Sequence, residues 1–158
     1  MTDETANDET LEELRELVRR VEVGDQDAVP PLRRWLEDHR VGWAGLAKRA
    51  EQLLAGQLNV FAGDNAAARA AVSDFITHLR ETCGYDDSSE LERLLIDNIV
   101  SAALDVRFIE LLLFGSDIGD EPHGKYLDAR LKRANRRFAE AARQLAMLRR
   151  FLPIHAED

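Results

Sequence analysis

The sequence predicts an all-α fold of about six helices, in which an N-terminal helical group packs on a long C-terminal antiparallel helix pair. Three observations carry that prediction. Apolar residues recur at steps of three and four along most of the chain, the period of one face of an α-helix. Capping residues and isolated glycines punctuate those runs at helix-like intervals. Hydrophobic residues make up 45% and charged residues 32% of the 158 residues, a globular composition with the surplus of Ala, Leu, Glu and Arg that helices favour. A chain of this length buries about two-thirds of its unfolded surface, so one core suffices and residues 10–158 read as a single domain. Within it, residues 10–84 hold the shorter helices and 90–152 a long helical hairpin.

Residues 1–9 are polar and acidic, with nothing to bury, and read as a disordered tail. Order is expected from Thr10, which has capping-box spacing to Glu13 and precedes an apolar stripe of Leu11, Leu14, Leu17, Val18 and Val21. Gly24 ends that helix by accepting a left-handed conformation. A second, shorter helix is expected within Asp25 to His39, with Pro30 and Pro31 near its start and Leu32, Trp35 and Leu36 on one side. Trp43, Leu46, Ala47, Ala50, Leu53 and Leu54 keep helical spacing in a third, which runs toward Phe61 and stops at Gly63. Asp64 is the expected cap of a fourth helix, closed by Cys83 and Gly84. Gly24-Asp25 and Gly63-Asp64 hint at repetition, and Gly24 to Leu36 looks like the inner turn of a HEAT-type repeat. A third copy is absent, and a solenoid needs about three units.

Tyr85 to Ser88 form a turn, after which Ser89 and Glu92 have capping-box spacing. From Glu90 to Phe114 there is neither Gly nor Pro, and Leu95, Ile99, Ala102, Val106, Ile109 and Leu113 trace one long helix. Three Gly, one Pro and three acidic residues make Gly115 to Gly124 a loop. The last helix is expected over Lys125 to Leu152. Its Leu127, Leu131, Ala134, Phe138, Ala141, Leu145, Leu148 and Leu152 alternate steps of four and three without a miss. The simplest use of that seam is an antiparallel hairpin with the preceding long helix. The rival use is a homodimer through the same face.

Composition also excludes classes of activity. Cys83 is the single cysteine, so no intrachain disulfide can form, and no Cys/His set has zinc-site spacing. No apolar run approaches the roughly 20 residues of a membrane span, and the acidic N-terminus is unlike a signal peptide. A cytoplasmic protein without membrane contact is expected. The net charge of -9 argues against non-specific gripping of nucleic acid. Yet charge is distributed unevenly. Met1 to Glu16 carry seven acidic residues and one basic, whereas Lys125 to Arg150 carry nine basic and two acidic.

That basic helix holds the candidate binding residues: Lys125, Lys132, Arg133, Arg136, Arg143 and Arg150. Arg136, Arg143 and Arg150 recur every seven residues opposite the seam, an array able to meet phosphates or an acidic protein surface. The plainer reading is a solvated face that keeps an exposed helix soluble. A fold-back of the acidic N-terminus onto this face would be weakened by salt. Asp97 and Asp105 stand two turns apart, about 12 Å along the axis, too far for one proton or one metal. They are expected to pair with arginines of a neighbouring helix. His39, His78, His123 and His155 share no metal-binding spacing, and His78 with Cys83 is off by a third of a turn. No phosphate-cradling glycine loop, nucleophile elbow or His-Glu-x-x-His helix is present. No catalytic residue, metal or cofactor is therefore expected. Trp35 and Trp43 read as core or rim packing.

Leu91-Glu92-Arg93-Leu94-Leu95-Ile96, Arg133-Ala134-Asn135-Arg136-Arg137-Phe138 and Leu145-Ala146-Met147-Leu148-Arg149-Arg150-Phe151-Leu152-Pro153 together resemble a family of small uncharacterised all-helical bacterial proteins. Gly24-Asp25 with Pro31-Leu32-Arg33, and Ala62-Gly63-Asp64-Asn65, sit where that family has similar phrases. The resemblance spans residues 20 to 153, through caps and heptad positions. No activity travels with it. In general form such proteins are similar to phage terminase small subunits, oligomeric helical DNA-recognition proteins; this chain departs from them in its acidity and in lacking a basic helix-turn-helix near its N-terminus. The sequence thus points to non-catalytic interaction with a protein partner or another copy of the chain. The alternative is nucleic-acid binding through the Arg-rich helix, in a packaging or mobile-element system.

Overall fold

The computed structural model describes residues 3–115 and 121–151, with the side chains of 3–11, 40–44, 47 and 121 excepted. Over these residues the chain is all-α, with six α-helices, one 3-10 turn and no strand. The helices are α1 (Asp3–Glu22), α2 (Val29–Asp38), α3 (Arg40–Ala62), α4 (Ala66–Thr82), α5 (Glu90–Gly115) and α6 (Glu121–Phe151). Where one domain was expected, the backbone divides into two compact units. The first contains α1, α2 and the end of α6 from Leu148; the second runs from Trp43 to Met147. The division follows from the first unit having a small core of its own.

In that first unit, α1 begins at Asp3, seven residues ahead of the expected start at Thr10. Residues 3–9, read from the sequence as a tail, are helical. No Gly or Pro interrupts them. Thr10 is consequently an interior position and not an N-cap. The other end follows the sequence reading. Gly24 adopts a φ of 90°, and the paired bonds from Gly24 N–H to the Val21 carbonyl and from Asp25 N–H to the Arg20 carbonyl close α1. The Asp25 side chain then caps the 3-10 turn Gln26–Ala28 and takes a 2.7 Å ion pair from Arg20. Those hydrogen bonds hold its carboxyl below the usual range. Pro30 and Pro31 occupy the first turn of α2, where a missing N–H leaves no partner unsatisfied. Val21, Ala28, Leu32 and Trp35 are buried here.

The second unit is organised around α5. Its Ile96, Ile99, Val100 and Leu104 form one buried cluster with Leu54 of α3 and with Ala141 and Leu145 of α6. Phe61 of α3 and Val72, Phe75, Ile76 and Leu79 of α4 pack against it. Farther along α5, Ile109 is buried with Leu127 and Ala134, and Val106, Leu113 and Leu131 line them. The order of these contacts, late α5 on early α6 and early α5 on late α6, makes the pair antiparallel. The seam of α6 is thus used within the chain, as the hairpin reading expects; Leu152, its last position, lies outside the described residues.

Two boundaries in this unit differ from the sequence reading. Asn65, not Asp64, caps α4 by accepting the Ala68 N–H at 3.1 Å. The Gly24 and Gly63 turns therefore differ in construction, which removes the basis for a repeat. α6 starts at Glu121 rather than Lys125, because Pro122 is tolerated in a first turn and one glycine does not stop a helix continued by a run rich in Ala, Leu, Lys and Arg. By contrast Ser89 and Glu92 make the expected capping box, with the Glu92 carboxylate accepting from Ser89 N–H at 2.9 Å and the Ser89 hydroxyl accepting from Glu92 N–H at 3.3 Å.

Two carboxylates, Glu92 and Asp97, are buried in this unit, and Glu92 serves the capping box. Asp97, 1% exposed, accepts a hydrogen bond from Arg80 Nε at 2.8 Å, with a second guanidinium nitrogen at 2.8 Å, and the Tyr85 hydroxyl stands 3.4 Å away. Arg80 also lies 4.5 Å above the Tyr85 ring. Burial raises the Asp97 carboxyl above its ordinary value, against the opposing pull of Arg80. Folding therefore favours its protonated form, so this group's contribution to stability falls as pH rises from the ordinary carboxylate value through the raised folded one. Arg80→Met strands the carboxylate and is expected to cost about 3 kcal/mol at neutral pH. In mild acid, where Asp97 takes up a proton, the cost should shrink. Urea unfolding at the two pH values tests this; an equal cost at both would show that the pair does not carry the effect.

Candidate functional site

The basic face of α6 is the site the sequence singles out. Its residues do not act as one array of free cations. Lys132 pairs with Asp128 at 2.9 Å, one turn earlier, and Arg143 pairs with Glu140 at 2.8 Å. Hydrogen bonds from Arg143 hold the Glu140 carboxyl below its usual range. Arg137 reaches across to Asp105 of α5 at 3.1 Å. Lys125 is exposed, as are Arg133 and Arg136. Arg150 belongs to the first unit, where its guanidinium stacks 5.1 Å from the Phe151 ring. Exposed pairs of this kind contribute little stability, and each sets a carboxylate beside a cation that an anionic partner would otherwise meet.

Beside that face runs an open groove of about 580 Å³ between α5 and α6, lined by Asn98 and Ala102 on one side and Arg136, Arg137, Glu140, Ala141 and Gln144 on the other. Its floor includes two small residues, Ala102 and Ala141. Its polar groups already serve one another: Gln144 donates to Glu140 at 3.1 Å, and Arg137 is held by Asp105. Asp105 also accepts from Gln57 of α3 at 3.0 Å, and Gln57 donates in addition to the Ser101 carbonyl at 3.3 Å. Asp97 and Asp105 are thus both structural, each paired with an arginine of a neighbouring helix, as their spacing suggests.

The seam is less regular than its sequence. Leu127, Ala134, Ala141 and Leu145 are buried, but Phe138 is 36% exposed. It sits next to Arg137, which reaches across to Asp105 of α5.

A second surface was hidden in the sequence. In α3, Leu46, Ala50, Leu53 and Leu54 read as one inward face, and the structure separates them. Ala50 and Leu54 are buried, whereas Leu46 is 41%, Leu53 67% and Val60 73% exposed. These three lie seven residues apart, so they form a strip along one side of the helix, next to its buried face. The signal that could have found it is charge. Residues 52–63, Gln-Leu-Leu-Ala-Gly-Gln-Leu-Asn-Val-Phe-Ala-Gly, include no charged residue in a chain that is 32% charged. Another exposed apolar group, Leu111, Leu112, Phe114 and Tyr126, marks the end of the hairpin.

The remaining candidates are structural. His39 stacks on Trp35 at 3.9 Å and its Nδ1 is 2.7 Å from the Trp35 carbonyl. Trp35 is buried as expected, while the side chain of Trp43 and all of His155 lie outside the described residues. Cys83 packs against the main cluster. Among the described residues no group of His, Cys, Asp and Glu could hold a metal ion, and no helix is long and apolar enough to cross a membrane. No protein-family model, characterised protein or solved structure matches this chain.

The uneven seam makes a direct prediction. Leu145→Ala is expected to cost about 3 kcal/mol, as for other buried large-to-small changes, and Phe138→Ala well under half of that. Chemical denaturation of the two variants decides it; equal losses would mean that the ring is buried.

Proposed function

We propose that this protein is a non-catalytic helical interaction module that docks a protein through the exposed apolar strip of α3. The observation that supports this reading is the strip itself: Leu53 and Val60 stay mostly exposed although their helix has a well-filled core face one step around. Single exposed leucines are ordinary, but an aligned series on an uncharged helix segment is the kind of patch that marks an interaction site. An enzymatic reading has no comparable support, since Asp97, the more deeply buried carboxylate, is paired with Arg80 and does not line the groove between α5 and α6.

The nucleic-acid reading draws on Arg133 and Arg136, and is weakened by the carboxylates that Lys132, Arg137 and Arg143 already engage. A short DNA duplex is expected to show no mobility shift even at low ionic strength, where electrostatic binding is strongest. Binding that falls steeply with added salt would replace the present reading.

The docking reading is tested with a photo-crosslinking amino acid placed at Val60, compared with the same probe at exposed Arg107 on α5. In source cells, Val60 is expected to yield a discrete crosslinked protein species and Arg107 none. Indistinguishable patterns at the two positions would overturn the proposal.

A further inference from the structure

We infer that the occupant of the α3 strip is a second copy of this chain, whose α3 lies antiparallel to the first about a two-fold axis at Leu53. The inference rests on the reading of that strip as a docking surface and adds the identity and register of the partner. A two-fold interface brings one patch against itself, so the patch must be self-complementary. Leu46 and Val60 each stand seven residues from Leu53. Reversal about Leu53 therefore sets Leu46 against the second copy's Val60, twice, and Leu53 against itself.

Charge selects the same arrangement. The charged residues Lys48, Arg49 and Glu51 of α3 all precede Leu53, and the residues from Gln52 to Gly63 carry none. Antiparallel pairing lays each charged half on the uncharged half of the other copy. Parallel pairing would set Lys48 and Arg49 against themselves, at a cost in repulsion. Two chains of net charge -9 repel at long range, so a contact that uses the uncharged half of α3, Gln52 to Gly63, is where they can meet. Gly45 and Gly56 flank the strip, and a Cβ built on either would find nothing within 4 Å. A second helix can therefore approach closely. Three apolar side chains per copy fall short of the about 800 Å² per partner of a standard interface. The dimer is accordingly a weak, reversible one.

Sedimentation equilibrium of the full chain from micromolar to millimolar concentration is expected to show a monomer–dimer equilibrium. Leu53→Lys, at an exposed position, should abolish the dimer while leaving helicity and melting temperature unchanged. Mixing L53K with L53E should restore a heterodimer. The register is read from double variants: L46K/V60E keeps the dimer and L46K/V60K loses it. A monomer at every concentration, or a dimer indifferent to L53K, overturns the inference. If the chain is monomeric yet the Val60 probe captures a different protein, self-pairing falls and the docking reading stands. If neither is seen, both fall.

Discussion

The burial of α5 is the constraint on which the second unit depends. Ile96, Val100, Ala102 and Ile109 are almost completely enclosed and point in different directions around the helix. A helix apolar on most sides cannot be served by one neighbour. Each of α3, α4 and α6 therefore has to cover only a sector of it. This explains why α4 contains no fully buried residue although Val72, Phe75, Ile76 and Leu79 all face the core. It also explains why α3 has apolar surface to spare. α5 supplies most of the core, and the apolar arc of α3 is wider than the sector it fills.

Apolar contact alone would let such helices slide, and polar ties set their levels. Arg80 fixes α4 at Asp97, while Gln57 fixes α3 and Arg137 fixes α6 at Asp105. Both acidic residues come from α5, so the central helix provides the reference marks as well as the core. The two ties differ in weight. Asp97 is enclosed and stands to lose the full cost of an unpaired charge, whereas the exposed Arg137 is screened and contributes mainly alignment. Burial and the Asp97 charge also raise the Tyr85 hydroxyl above its ordinary value, which keeps it a hydrogen-bond donor at this junction.

The helices were legible because the signals for them are local. Gly24 and the Ser89–Glu92 box mark ends through their own backbone chemistry, and the arginine pairs of Asp97 and Asp105 follow from two carboxylates on a helix that must be buried. What stayed hidden depends on distant parts of the chain. Periodicity shows that Phe138 belongs to an apolar face, but whether that face covers it depends on how the neighbouring helices pack. It likewise shows that Leu53 and Leu54 are both apolar, and cannot tell that only Leu54 meets α5. The division into two units was not legible either, since the core of Val21, Ala28, Leu32 and Trp35 looks in sequence like the start of a longer one.

The same reasoning separates the two surfaces that the sequence offered for interaction. The α6 seam has the more regular pattern, and regularity makes it the natural suspect for association. It is already occupied: Leu127, Ala134, Ala141 and Leu145 are buried against α5 in the same chain. The basic face beside it is partly neutralised by Asp105, Asp128 and Glu140. α3 has the weaker pattern, but its Leu46, Leu53 and Val60 stay exposed. A regular pattern reports how strongly a surface wants to be covered, and only the fold reports whether it has been. By that measure the irregular, uncharged α3 is where association has most to gain.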